Sequence, residues 1–144
     1  MAAANEVDLR ELPNSSLRIL WIRSFHELVI FTLSKSKDTH LIVTKTLAAA
    51  DGADKNKIKS VYSNEIDETH ANYVYQTLTK TCGFFALPAQ LPPTSMDGST
   101  IVIELYTGGS YHVVETQSMK SSDCINKLSR LVLVLSGVDF SPIY

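Results

Sequence analysis

The stretch DGSTIVIELYTGGSYHVV, residues 97–114, decides the fold prediction. It holds an Asp-Gly turn, a run rich in Ile and Val, the pair Gly108-Gly109, and a second apolar run. Both glycines can adopt positive φ, which the two-residue turn of a β-hairpin requires. The stretch therefore predicts two antiparallel strands joined by a tight turn.

The register of this hairpin determines which side chains share a face, because side chains alternate across a strand. A two-glycine turn places Leu105 opposite His112, and Glu104 then lies on the other face. A three-residue turn shifts the pairing by one and brings Glu104 opposite His112. Turn chemistry favours the two-glycine turn. In that register one face is apolar, here called the inner face, and the opposite side is called the outer face.

Four more segments before the hairpin have strand chemistry, with Val, Ile, Thr and aromatic residues between polar breaks: 17–25, 27–34, 39–47 and 58–66. Two helices are predicted by apolar residues at helical spacing, after Asp67 and after Asp123. Gly83 and Gly137 are placed to end them. The order predicts an α+β fold, an antiparallel sheet of about six strands with both helices on one face.

Length and composition indicate one globular domain. The chain has 144 residues, of which 44% are hydrophobic and 19% charged. Residues 1–15 are predicted to form a flexible N-terminal arm, and residues 16–144 a single α+β domain. A formal net charge of −2 without a basic cluster argues against a nucleic-acid partner. We also expect no membrane insertion, since no apolar run reaches the roughly 18 residues needed.

Two cysteines bear on the cellular compartment. Cys82 ends the first predicted helix and Cys124 begins the second, so antiparallel helices would bring them together. A disulfide and a pair of buried free thiols are both open interpretations. A disulfide would indicate the bacterial periplasm, and free thiols the cytoplasm. The N-terminus lacks the pattern of a signal peptide, so either the protein is cytoplasmic or a leader has been removed.

The candidate binding residues lie on the outer face of the hairpin and in the Pro-rich loop before it. A carboxylate between tyrosines is typical of a recognition patch, because aromatic residues are enriched at interface cores. The set comprises Glu104, Tyr106, Tyr111, Glu115, Leu91 and Met96. The four histidines are scattered, so neither a metal site nor a cofactor is expected.

The second half of the chain resembles a group of small uncharacterised bacterial proteins. The shared pattern is Phe84-Phe85, Asp97-Gly98-Ser99, a strand ending in Glu104, Tyr111-His112, and a capped C-terminal helix. Thr100-Ile101 stands where that group tends to carry a Trp. The group is similar in size and style to immunity proteins that bacteria keep against secreted toxins. The resemblance implies a protein-binding module that neutralises a toxin.

Two alternatives remain open at this point. The first is a small hydrolase that uses His112 with Glu104 or Asp97, which requires the shifted register and a pocket. For His112 the simpler interpretation is an edge histidine bonded to backbone. The second alternative is a module that carries a small apolar molecule between the sheet and the helices.

Overall fold

The structure is a computed structural model. It describes the following parts of the chain: residues 6–23, 26–48, 57–92, 99–117 and 123–140. Met96 and Asp97, two of the candidate site residues, lie outside the described residues.

Six strands form one antiparallel sheet, in the order β4-β3-β2-β1-β5-β6. Their bounds are Ser16–Arg23 (β1), Leu28–Ser36 (β2), Thr39–Leu47 (β3), Ile58–Ile66 (β4), Ser99–Thr107 (β5) and Ser110–Gln117 (β6). The first four strands form a meander, and β5 then pairs with β1. The predicted α+β fold with a six-stranded antiparallel sheet is confirmed.

Two helices follow the predicted start signals. Helix α1 spans Glu68–Gln76, and the Asp67 side chain accepts a hydrogen bond from the backbone N–H of His70 at its start. Helix α2 spans Cys124–Leu135. The first helix was expected to continue regularly to residue 82, but after Gln76 it widens into a π-helical turn, Thr77–Thr81. There the Thr79 hydroxyl donates to the Tyr75 carbonyl, a local bond that competes with regular helical pairing.

Both helices pack on the inner face of the sheet, because their apolar stripes and that face belong to one buried cluster. The helices contribute Ala71, Val74, Leu78, Ile125, Leu128 and Val132, and the sheet contributes Leu17, Ile19, Trp21, Phe31, Ile103 and Leu105, among others. Phe140 packs edge-on against Trp21 and Phe31, with ring centroids 6.0 and 5.8 Å apart. Phe140 thus packs the chain that follows α2 against the core.

A smaller buried cluster lies on the outer face. It comprises Leu20, Ile30, Leu47 and Val102 from four different strands. The sheet is therefore apolar on both sides at its centre. Charged residues on the outer face surround this cluster and form the candidate site.

Candidate functional site

The hairpin closes with the two-glycine turn. Gly108 and Gly109 have φ of 58° and 78°, and Thr107 pairs with Ser110. Leu105 then faces His112, in the register that turn chemistry favours. Since neighbouring side chains alternate, Glu104 projects to the outer face and His112 to the inner face. The Glu104–His112 pair considered for a hydrolase is not brought together.

His112 lies on the edge strand β6 and is hydrogen-bonded to the loop that precedes β5. Its Nε2 lies 2.8 Å from the carbonyl oxygen of Leu87. A carbonyl can only accept, so Nε2 carries the proton. The imidazole also packs edge-on against Phe84, with ring centroids 5.5 Å apart, and lies close to Phe85. This is the backbone-bonded edge histidine of the simpler interpretation. The other hydrolase pairing, with Asp97, falls outside the described residues.

Glu104 is the centre of a polar network on the outer face. It lies opposite Arg18 in the β1–β5 pairing, and Arg18 Nη1 donates to Glu104 Oε2 at 3.0 Å. Tyr111 Oη donates to the other oxygen, Oε1, at 2.9 Å. Both carboxylate oxygens are therefore occupied within the protein, and the side chain is mostly shielded from solvent. Glu104 therefore lies beneath the exposed surface, where it positions Tyr111 and Arg18.

The segment of residues 6–15 lies across the outer face. Arg18 Nη2 donates to the carbonyl of Val7 at 2.6 Å, and Glu6 pairs with Lys45 of β3, also at 2.6 Å. Leu9 is only 1% exposed, and the Ser16 hydroxyl donates to its carbonyl. Over the described residues 6–15, these contacts differ from the flexible arm that the sequence predicts for residues 1–15. The segment instead forms one border of the site.

A short 3-10 turn, Leu9–Glu11, places a second arginine beside the tyrosine. Asp8 accepts hydrogen bonds from both the backbone N–H and the guanidinium of Arg10. The Arg10 guanidinium beside Asp8 holds the pKa of that carboxyl at about 2. The guanidinium carbon of Arg10 stands 5.2 Å from the centroid of the Tyr111 ring, in a cation–π contact. Asp8 thus orients Arg10 toward Tyr111.

Tyr111 is the exposed aromatic side chain of this group, at 38%. Burial of the remainder of the side chain, together with the hydrogen bond to Glu104, raises its pKa to about 12. The phenol is therefore protonated at neutral pH and keeps its bond to Glu104. Tyr106, its cross-strand neighbour, is half-buried on the same face.

The loop before β5 forms the other border of the site. Leu91 donates its backbone N–H to the Glu115 carbonyl, and Glu115 donates to the Ala89 carbonyl, at 2.9 and 2.7 Å. The Gln90 side chain reaches the Glu115 carboxylate at 3.3 Å. Leu91 and Glu115, two residues of the candidate set, are therefore in contact through their backbones. Leu91 also lines two adjoining shallow grooves of about 360 and 380 Å³, one beside the Cys82–Cys124 pair and one beside Glu115.

Cys82 and Cys124 form a disulfide, with their Cα atoms 5.5 Å apart. The bond joins the end of the π-helical turn to the first residue of α2. Of the two interpretations that the sequence left open, the disulfide is therefore confirmed.

Sequence reasoning missed Arg18, Arg10, Glu6 and Lys45. A signal for two of them exists, since Arg18 and Lys45 interrupt apolar strands at positions of the same face as Glu104. That signal can be recognised only when the strand order is known. For Glu6 and Arg10, which lie outside the strands, no pattern in the sequence indicated a role.

No family model matches the chain, and no curated protein matches it significantly. Within the described residues no three His, Cys, Asp or Glu side chains cluster as metal ligands would. Among the helices of the described part, none has the length and apolarity to cross a membrane.

Proposed function

We propose that the chain is a protein-binding module, and specifically an immunity-type protein that neutralises a secreted bacterial toxin. The supporting observation is Tyr111, an exposed aromatic side chain held by Glu104 and flanked by Arg10. Tyrosine and arginine are the residue types that dominate binding energy at protein interfaces. A side chain already fixed in the free protein loses little conformational entropy on binding.

The proposed contact surface comprises Tyr111, Arg10 and Glu115 with the adjoining loop residues Gln90 and Leu91. Glu104 supports this surface from below and is not assigned a direct contact. This surface combines an aromatic side chain with charged residues of both signs. Protein interfaces have the same composition, with aromatic residues in the core and polar residues at the rim. The hydrogen bonds of Glu104 and Glu115 reduce the conformational entropy that these side chains would lose on binding.

The proposed compartment is the bacterial periplasm. The Cys82–Cys124 disulfide is compatible with an oxidising compartment, and disulfides are rare in the bacterial cytosol. In the periplasm the protein would encounter toxins that act on the cell envelope. The proposal therefore restricts the candidate toxins to secreted proteins whose targets lie outside the cytoplasm.

A growth assay tests this function. Secreted antibacterial toxin domains are directed one at a time to the periplasm of a sensitive strain, with and without this chain. We expect the chain to restore growth against one of them and to bind it in calorimetry. Protection against none of the envelope-directed toxins would contradict the proposal.

The contact surface is tested with matched tyrosine variants of the same chain. Tyr111→Ala should weaken toxin binding by about 2 kcal/mol or more, roughly thirtyfold, as loss of an interface hot spot does. Tyr73→Ala is the control, because Tyr73 is 58% exposed on α1, a helix on the opposite side of the sheet. Equal affinities of the two variants would remove Tyr111 from the contact surface.

A further inference from the structure

The first turn of α2 buries a polar side chain that makes no hydrogen bond. Asn126 is 0% exposed, and neither its Oδ1 nor its Nδ2 has a partner within the described part of the chain. A buried amide that has given up its hydrogen bonds to water destabilises the conformation that buries it. The buried apolar residue of the same turn is Ile125. Opening of the turn would therefore expose one apolar side chain and hydrate one amide.

The two ends of α2 are attached to the fold by different bonds. At the C-terminal end, Asn64 of β4 donates its Nδ2 to the Leu135 carbonyl at 2.7 Å. At the N-terminal end, the disulfide joins Cys124, the first residue of α2, to Cys82. Asn126 follows Cys124 by two residues, so this bond holds the turn that buries the unpaired amide. The disulfide thus opposes the opening that hydration of Asn126 favours.

The disulfide is accessible from one side. Cys124 is exposed and Cys82 is half-buried. Both residues line the groove of about 360 Å³ beside Leu91. Thiol–disulfide exchange requires that the attacking thiolate reach a sulfur of the bond. A small dithiol can therefore approach this bond without prior unfolding of the chain.

We propose that reduction of the bond between Cys82 and Cys124 opens the first turn of α2 while the rest of the fold stays in place. The reductant is a dithiol. One of its thiolates attacks a sulfur of the bond to form a mixed disulfide, and its second thiol then displaces the protein sulfur. The dithiol leaves as a disulfide, and its two electrons and two protons remain on Cys82 and Cys124 as two thiols. Hydration of Asn126 then moves residues 123–126 away from the core.

Opening would change the surface beside Leu91. Ile125 and Cys124 form part of the groove there, so their displacement removes part of its wall. Leu91 remains attached to β6 through its backbone bond to Glu115. The redox state would thus alter the border of the proposed contact surface. The proposal does not depend on a toxin partner, and its test uses the chain alone.

Amide hydrogen exchange of the full chain tests the opening, in the oxidised state and with excess dithiothreitol. The Lys127 N–H donates to the Asp123 carbonyl at 3.0 Å, so its exchange reports whether the first turn is closed. After reduction we expect the Lys127 amide to exchange at least about tenfold faster, and at a rate independent of low urea concentrations, as in a local opening. The Ile103 amide, in a strand paired on both sides, should exchange more slowly and accelerate with urea, because it requires global unfolding.

Substitutions at Asn126 test the cause. Asn126→Leu removes the amide at nearly the same side-chain size, so Lys127 of the reduced variant should keep the urea dependence of Ile103. Asn126→Ala removes the amide without adding volume and should give the same result. Ser129→Ala is the control, because it removes a buried hydroxyl of α2 that is already bonded to the Ile125 carbonyl, and it should still open on reduction. Unchanged Lys127 exchange in the reduced wild-type chain would overturn the proposal. So would exchange there with the urea dependence of Ile103, or local opening in both Asn126 variants.

Discussion

Tyr111 and Glu104 are joined by a hydrogen bond of 2.9 Å that runs diagonally between β6 and β5. Glu104 faces Val113, and Tyr111 is two residues from Val113 on the same face. The carboxylate is itself held by Arg18 at 3.0 Å. The tyrosine is thus fixed by a residue that is already anchored to the central strand. The phenol of Tyr111 therefore donates its proton to an acceptor that is in place only in the folded protein.

The alkaline stability of the protein should depend on Tyr111. Its pKa is raised to about 12 in the folded protein, from an ordinary value of 10.0. Between about pH 10 and pH 12 the unfolded chain therefore loses this proton while the folded protein keeps it, so stability falls with rising pH. Tyr111→Phe removes this titration and should lose less stability across the window. Urea unfolding below and within the window measures the difference. Parallel pH profiles for the two proteins would count against it.

The N-terminal segment should contribute to stability through Leu9. Leu9→Ala should lower the free energy of unfolding by about 2–4 kcal/mol, because the removed atoms are fully buried. Val7→Ala, two residues earlier and 51% exposed, should change it by no more than about 0.5 kcal/mol. Chemical denaturation of both variants gives the comparison. If residues 6–15 were a flexible arm, the two substitutions would be equally neutral.

The hairpin turn should accept asparagine better than alanine. Gly108 has a φ of 58°, and no atom lies within 4 Å of the position that a β-carbon would occupy there. Only the backbone conformation therefore opposes a side chain, and Gly108→Ala should cost about 1–2 kcal/mol. Gly108→Asn should cost less, since Asn-Gly is a preferred pair for this turn. Thermal unfolding of both variants decides the point. Equal losses would contradict the expected preference for asparagine at this position.

The disulfide should stabilise the fold by restricting the unfolded chain. It closes a separation of 42 residues, which in the chain-entropy model is worth about 3–4 kcal/mol. The double variant Cys82→Ser/Cys124→Ser should lose stability of that order in urea unfolding. Intact mass after thiol blocking should show no alkylation of the native protein before reduction. Alkylation without reduction, or an unchanged unfolding midpoint, would argue against a structural bond.

Local signals in the sequence were sufficient for the six strands, for the starts of both helices and for the register of the hairpin. The bounds predicted for the third and fourth strands, 39–47 and 58–66, coincide with those of β3 and β4. Gly108-Gly109 fixed the register that separates Glu104 from His112. These predictions succeeded because turn chemistry and side-chain alternation act over a few residues.

The candidate site was predicted less completely, because it depends on contacts between distant parts of the chain. Arg18 and Glu104 are 86 residues apart in the sequence and meet only because β5 lies beside β1. Nothing in a local pattern shows that Glu104 is already paired. The sequence therefore indicated Glu104 as a contact residue, whereas its neighbours in space make it a support for Tyr111.

The same pairing of β1 with β5 has a consequence for the order of folding. The meander from β1 to β4 needs only hairpin contacts between neighbouring strands, which form early. The pairing of β5 with β1 requires closure of a long loop, which is a slow step. Until β5 is in place, β1 is itself an edge strand, and its backbone N–H and C=O groups on that side have no partner strand. A chain that has not yet formed the β1–β5 pairing therefore presents an unpaired strand edge, the kind of surface through which incompletely folded proteins aggregate.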